Sequence, residues 1–600
     1  MPSWVYSVVA TGVIFSGWIF FAQPSLILLN GFPFSTTSLY VIAASLIGIL
    51  FLKRQWMLSK KFGFITPSEM IATYFKSDLI RILIVIITMG FAIPFIAMQL
   101  SLAGALISIV SDDIIGAGSG SILLGAVICV YLSLSGIRTV VYIDTFQFLL
   151  TIFGIIALGF VSYDLVGGWD LLNESSSRIS SLKQNLFNLK ESYASYLSVP
   201  GTIKIVEILD SGLSYGGIWT TSMILTFVFG LCGIVMSPSF SMLVFSSREA
   251  GAFGGQQVWF SSFFIGLILI FFTTAIGIGS IFLGANNIIN ESGNNISNIL
   301  PGNIVPNQIE TLVPHLINVI GSYSPLFFGL LLICGIASLQ STSILYLSSS
   351  AIFTRDILKR FFIKNMTNQE QIFSSRILLL IIFIVSLVLS IQSSNVILSL
   401  GSFSLSIACQ MFVPLIAVCY FPWFTKQGVA LGIVVGIIAV FFTEGVGQIM
   451  FGDFIKWNKW PLTIHSSVWG VLFNLAGALT ISFITQDTKE TNHKYKFHEF
   501  INEHKHISLK RRSLKPSAWI VVIAWIFFAL GPGAIIGNEM FGRPINVESW
   551  SFGMPSIWVW QIIFWLLGVV LVWFLAFKME MSTQPEKNII SQTDDISGRV

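Results

Sequence analysis

Apolar residues run through this chain in blocks of about 20, each closed by a short polar or charged stretch. That is the length a helix needs to cross a hydrocarbon layer. Fourteen blocks can be read, near residues 4–29, 36–52, 79–110, 119–136, 145–166, 217–246, 257–285, 324–354, 376–396, 399–421, 427–450, 466–485, 518–536 and 557–577. Two of them are interrupted in a similar way. The first holds Thr11-Gly12, Ser16-Gly17 and Gln23-Pro24 within "TGVIFSGWIFFAQP", and the sixth holds Ser237, Pro238 and Ser239 within "GIVMSPSFSM". Glycine weakens a helix, and proline removes a donor and clashes with the preceding turn. Backbone groups released there need a ligand, water or a neighbouring helix, because lipid offers no partner.

Blocks one to five and six to ten each contain five spans, an odd number, so the second set enters the membrane from the opposite side. An interrupted helix opens each set. Paired discontinuous helices at corresponding positions of two inverted halves point to a transporter's binding site. For either helix alone, the competing reading is a small-residue packing face made by Gly12, Ser16 and Gly17. The expected fold is therefore all-α and polytopic. A ten-helix 5+5 inverted-repeat core occupies 1–166 and 217–421, with long loops at 167–216 and 286–323. About four further spans follow: two in 422–485, then, after a basic stretch at 486–516, two more with a short tail in 517–600.

Composition agrees with this class. Hydrophobic residues make up 54% of the chain and charged residues 10%, against about 25% charged in soluble domains. The net charge of +4 gives no reason to expect nucleic acid as a partner. The five cysteines (Cys129, Cys232, Cys334, Cys409 and Cys419) all lie in apolar segments, so no disulfide framework is expected. The first apolar run is too long for a signal peptide and lacks a basic leading region. With Met1 in the cytoplasm, 25 of the 32 Lys and Arg residues fall in inside loops, as the positive-inside rule demands. Met1, the 486–516 stretch and the C-terminus are thus expected on the cytoplasmic side of a plasma (inner) membrane. The histidines of that stretch, His493, His498, His504 and His506, read as part of a solvated basic loop facing anionic lipid rather than a metal site. No nucleotide-binding or catalytic motif sits in a suitable context, so neither an enzyme nor a resident cofactor is expected.

Several stretches resemble the sodium:solute symporter family, which has the ten-helix inverted-repeat fold of the leucine transporter. They are Ser16-Gly17-Trp18 in the first helix, "GFITPSEMIATYF" (63–75), "SGIRTVVYIDTFQ" (135–147) and "GIASLQSTSILYLSSSAIFTRDILKR" (335–360). The resemblance covers roughly 1–450. The family's usual leading span has no counterpart ahead of Met1 in this sequence, and the pair of spans beyond 517 exceeds its usual trailing set.

The resemblance implies a Na+-coupled symporter. Sodium, a hard cation, wants several oxygens at short range. Carried over from the resemblance, these fall on the carbonyls of Gly12, Phe15 and Ala337 and on the hydroxyls of Ser341 and Thr342, the family's hydroxyl pair being offset here, since a gapless match puts it on Gln340 and Ser341. The aspartate that some relatives carry in the first core helix is replaced by Ile14. Asp144, near the cytoplasmic end of the fifth helix, is placed on the cation's path or in a pair with Arg138. Candidate solute contacts beside the interruptions are Ser16, Trp18, Gln99, Ser237, Phe240 and Gln410; for the two glutamines an interhelical hydrogen bond is the alternative. No Lys or Arg lies mid-membrane in the core, which favours a neutral or zwitterionic solute such as an amino acid. A monocarboxylate, or a sensor that binds solute without moving it, remains as the alternative. Na+, the solute and the lipid bilayer are the only partners implied, and the sequence leaves the oligomeric state open.

Overall fold

The fourteen apolar blocks become fourteen helical spans in the computed structural model. It describes residues 1–173, 176, 196–203, 218–285, 298–304, 308–340, 343–392, 397–447, 457, 459–504, 511, 513–544, 546–587 and 589. Eleven spans are α2 (Phe32–Phe62), α3 (Asp78–Val110), α4 (Ala117–Leu134), α5 (Thr139–Val166), α7 (Gly251–Phe282), α8 (Pro325–Phe362), α9 (Asn368–Gln392), α10 (Ile397–Cys419), α11 (Lys426–Thr443), α12 (Ser466–Ile484) and α14 (Ser556–Lys578). Three more are bent pairs: α1 (Ser3–Phe15 with Trp18–Asn30, 44°), α6 (Thr221–Met236 with Pro238–Phe245, 48°) and α13 (Lys515–Ala529 with Pro532–Asn538, 51°). No strand occurs among the described residues.

α1 and α6 lie side by side and run in opposite directions. The amino group of Met1 donates to Ser246 O (3.0 Å), just past the end of α6. Arg248 N–H donates back to Met1 O (3.1 Å). At the other end of α1, the rings of Trp18 and Phe227, from the first half of α6, lie 6.2 Å apart. α5 packs along both α1 and α8, and α3 is flanked by α4, α9 and α10.

The trailing spans are built into this body. α14 crosses α2 and α7, where Trp558 donates to Ile270 O (3.0 Å), Trp565 to Ser262 O (2.7 Å) and the Gln561 amide to Phe32 O (3.1 Å) and Thr36 Oγ1 (2.9 Å). The segment 486–516 departs from the solvated loop expected of it. Its residues Thr488–His504 form a helix docked on the short helix Pro67–Phe75. His493 Nε2 meets Thr73 O (3.0 Å), His498 Nε2 meets Tyr74 Oη (2.7 Å), and Lys494 is 1% exposed against Phe424 O and Glu490. Apolar positions Phe497, Phe500 and Ile501 supply the buried stripe. Within the two long loops, residues 167–173, 176, 196–203, 298–304 and 308–323 are described, the last including the helix Leu312–Gly321. Tyr196 donates to the carbonyls at Ile27 (3.2 Å) and Leu28 (3.0 Å), over the end of α1.

Candidate functional site

The two interrupted helices solve the same problem differently. In α6, Pro238 cannot donate, and Ser237 leaves helical geometry altogether (φ −58°, ψ 146°). Its hydroxyl accepts from Phe240 N–H (3.2 Å) and donates to Ile234 O (2.8 Å). The sequence Ser-Pro is a stop followed by a fresh start, with Ser as N-cap and Pro in the first turn, where a missing N–H costs nothing. α1 stays wound where the sequence led us to expect unwinding. Gly12 is inside a regular turn, and the bend falls at Ser16–Gly17, followed by wide π-turns over Trp18–Ala22. A π-turn keeps backbone bonds within the helix while absorbing Pro24, so fewer groups are released than in α6. Gln23 locks the arrangement: it accepts from Trp18 Nε1 (3.1 Å) and donates to Ser38 Oγ (2.9 Å) of α2.

Gly17 makes room for Gln99 of α3. A Cβ on Gly17 would lie 2.3 Å from Gln99 Oε1, so the amide sits directly over the bend. Gln99 is 2% exposed, and neither Oε1 nor Nε2 has a protein partner. An unsatisfied buried amide costs about 1–3 kcal/mol, and one that offers both a donor and an acceptor beside a helix bend is ready to take a polar ligand. Gln410, the same residue type, is spent otherwise. Its amide donates to Ser406 O (3.1 Å), and Asn474 of α12 donates to its Oε1 (3.2 Å) and main-chain O (3.0 Å).

A second polar cluster gathers α4, α5 and α8. Asp144 is 1% exposed; its Oδ2 accepts from Ile344 N–H (3.1 Å), while Oδ1 has no partner. One turn on, Gln147 donates to Gln340 Oε1 (2.7 Å), and Tyr131 donates to Ser343 Oγ, which itself donates to Gln340 O (2.5 Å). Gln340 and Ser343 are the sequence neighbours of Ser341 and Thr342, which lie outside the described residues. Asp144 is therefore tied to α8, and the side chain of Arg138 lies outside the described residues. Ala337 is buried one turn before Gln340. Gly12 faces α5, where a Cβ would lie 2.9 Å from the Phe148 ring. Phe15 O accepts from Trp18 N–H.

The remaining candidates divide between two places. Trp18 lines a closed cavity of about 10 Å³ on the far side of both bends, with Phe227 and Gly230 of α6, Ser402 and Leu405 of α10, and His465. That is scarcely room for one water. Ser237 and Phe240 lie at the break of α6, fully buried, and Phe240 faces Ile14 of α1 and Gln256 and Gln257 of α7. The side chain of Ser16 lies outside the described residues. Sequence reasoning missed Gln147 and Tyr131. Gln147 was within reach, since it stands three residues after Asp144 and shares its helix face.

Two opposed bent helices, an orphaned amide over one bend and a buried carboxylate beside α8 define an inverted-repeat membrane transporter of the leucine-transporter fold. The sodium:solute symporter family model matches residues 1–436, and the chain belongs to that family. It is a Na+-coupled symporter, not an enzyme. The chain is 21% identical over 458 residues to an uncharacterized symporter, YhjB, of Bacillus subtilis (strain 168), covering 75% of this chain and 83% of that one. It is 27% identical over 180 residues to the high-affinity proline transporter PutP of the same organism, 30% of this chain and 35% of that one. Among solved structures it is similar to a Na+-coupled sialic acid symporter in a substrate-bound outward-open state. The TM-score there is 0.58 with 16% identity, over 81% of this chain and 90% of that chain.

Proposed function

We propose that the chain carries a neutral or zwitterionic solute, an amino acid foremost, into the cytoplasm together with Na+ across the plasma membrane, with Met1 inside. The observation that carries the solute assignment is Gln99, whose amide is buried without a partner over the bend of α1. A solute with an ammonium or hydroxyl donor next to a carboxylate or carbonyl acceptor would satisfy both of its polar atoms. The resemblance to a proline transporter over 180 residues supports the same class. Sodium is assigned to the gap between α1 and α8, on the carbonyls of Gly12, Phe15 and Ala337 and the hydroxyls of Ser341 and Thr342. Asp144, with one free oxygen beside that gap, attracts the cation on its way to the cytoplasm. The solute contacts are Gln99, Ser16, Trp18, Ser237 and Phe240, with Gln410 of α10 in a supporting position against α12.

Each ion that enters with the solute gains about 2.3 kcal/mol per 100 mV of membrane potential, to which the sodium gradient adds. The purified chain is tested by thermal shift against proline, other amino acids, sugars and monocarboxylates, with and without Na+. The expected result is a stabilising amino acid whose effect requires Na+ and disappears in Gln99→Leu. Stabilisation by a monocarboxylate alone, or a solute effect indifferent to Gln99→Leu, would overturn the assignment. Uptake of the same solute into proteoliposomes separates a symporter, which accumulates it, from a sensor, which only binds.

A further inference from the structure

The closed cavity next to Trp18 has one wall from outside the ten-helix core. His465 ends the connector between α11 and α12, and its ring stands edge-on to Phe227 of α6 (centroids 5.1 Å apart). Its tautomer is fixed by geometry. Ser467 N–H donates to Nδ1 (3.3 Å), so the ring proton is on Nε2, which donates to Ser402 Oγ of α10 (2.7 Å). With its oxygen occupied as acceptor, Ser402 passes its own hydroxyl proton toward Glu444 Oε1 (2.5 Å) at the end of α11. Trp460 Nε1 donates to the same oxygen (3.1 Å), and Lys459 Nζ lies 3.4 Å from Oε2 while donating to Leu398 O of α10 (2.8 Å). The connector also holds α6, through His465 N–H to Thr226 Oγ1 (2.9 Å) and Thr463 Oγ1 to Thr220 Oγ1 (2.8 Å).

His465 and Glu444 are each 1% exposed and Ser402 is 4% exposed. A buried carboxylate needs every one of its donors, so this chain of bonds is directional and closes as a unit. It bridges two walls of the cavity, α6 and α10, from a third body. α10 begins there with π-turns over Ile397–Gly401, the loosest kind of helical winding. Solute arriving from the Glu444 side must part α10 from α6.

We propose that Ser402, Glu444 and His465 form the outer latch of the transport cavity. They are positioning residues that hold α10 closed on α6 and separate when the cavity opens to the outside. This rests on the transport reading and the orientation given above, but on none of the sodium or solute contacts.

The test uses the full-length chain, solubilised, with Leu405→Cys as a reporter in the cavity wall, labelled by a polar maleimide. The five native cysteines are buried, and Cys334 serves as the internal control. His465→Asn keeps an acceptor for Ser467 N–H and loses the reach to Ser402; His465→Gln does the reverse. We expect Ser402→Ala and His465→Asn to raise reporter labelling at least tenfold, His465→Gln to leave it within twofold of the parent, and Cys334 to stay at its parent rate in all three. Parent-like labelling in Ser402→Ala, equal rates for the two His465 variants, or Cys334 labelling that rises with the reporter would each overturn the latch. A failed Na+ and amino-acid screen, with these rates as expected, would instead overturn the solute reading and leave the latch standing.

Discussion

Gln99 and Gln410 show how little a residue's type decides by itself. Both are buried amides in core helices, and both are equally plausible solute contacts in the sequence. Gln410 is enclosed by the glycines of α11 and α12 and bonded to Asn474, whereas Gln99 lies over Gly17 with nothing to bond. Gly17→Ala would put a methyl group 2.3 Å from Gln99 Oε1, so the amide must swing away. We expect solute affinity to fall at least tenfold while the thermal midpoint moves by only a few degrees, measured by isothermal titration and thermal unfolding of one preparation. Asp144→Asn keeps an acceptor for Ile344 N–H and removes the charge. The helix contact should survive, and Na+-driven uptake should fall at least tenfold with a raised half-saturating Na+ concentration. Unchanged Na+ dependence would remove Asp144 from the cation's path.

At the scale of the element, local sequence explains α6 better than α1. Ser-Pro in α6 is sufficient on local grounds, because an N-cap and a missing donor coincide. In α1 the sequence holds two glycines, a serine and a proline spread over thirteen positions, and the packing of Gln99, Phe148 and Gln23 decides which of them bends. The helix Thr488–His504 makes a similar point. Its basic character is legible in the sequence, but docking depends on Tyr74 and Thr73, over 400 residues away.

That docking has a pH dependence. Burial, with Arg54 nearby, holds His498 down to about 4 from its ordinary 6.5, so the folded protein keeps it neutral. A free chain protonates near 6.5, so stability is complete above that pH and drains away as pH falls toward about 4. We expect acidification from pH 7.5 to 4.5 to cost roughly 1–2 kcal/mol through this group. His498→Gln should flatten that part of the pH profile of thermal unfolding.

For the whole molecule, the ends of helices are joined by ion pairs, one of them buried, and the trailing spans are structural members. Arg81 at the foot of α3 pairs with Asp356 of α8 (3.1 Å), at 7% and 0% side-chain exposure, while Arg355 reaches Glu69 (3.6 Å) and Arg360 reaches Asp78 (3.3 Å). Removing one partner of a buried pair leaves the other uncompensated. Asp356→Asn should therefore destabilise the protein by roughly 3 kcal/mol, and Asp356→Leu with Arg81→Met together by less than the single change. Thermal unfolding of the three variants checks this.

What the chain determined by its own order of residues was the class, the number of spans, the oddness of each half and the place of Pro238. These follow from the length of apolar runs and from local backbone chemistry, which need no distant partner. Folding alone decided that α1 bends rather than unwinds, that Gln99 is left empty-handed and Gln410 is not, and that His465 reaches the cavity from outside the core, with Glu444 bonded to its wall through Ser402. Each of those depends on which groups meet across hundreds of residues, and in a bilayer, where a polar group has only protein to turn to, that meeting decides whether it is structural or free to bind.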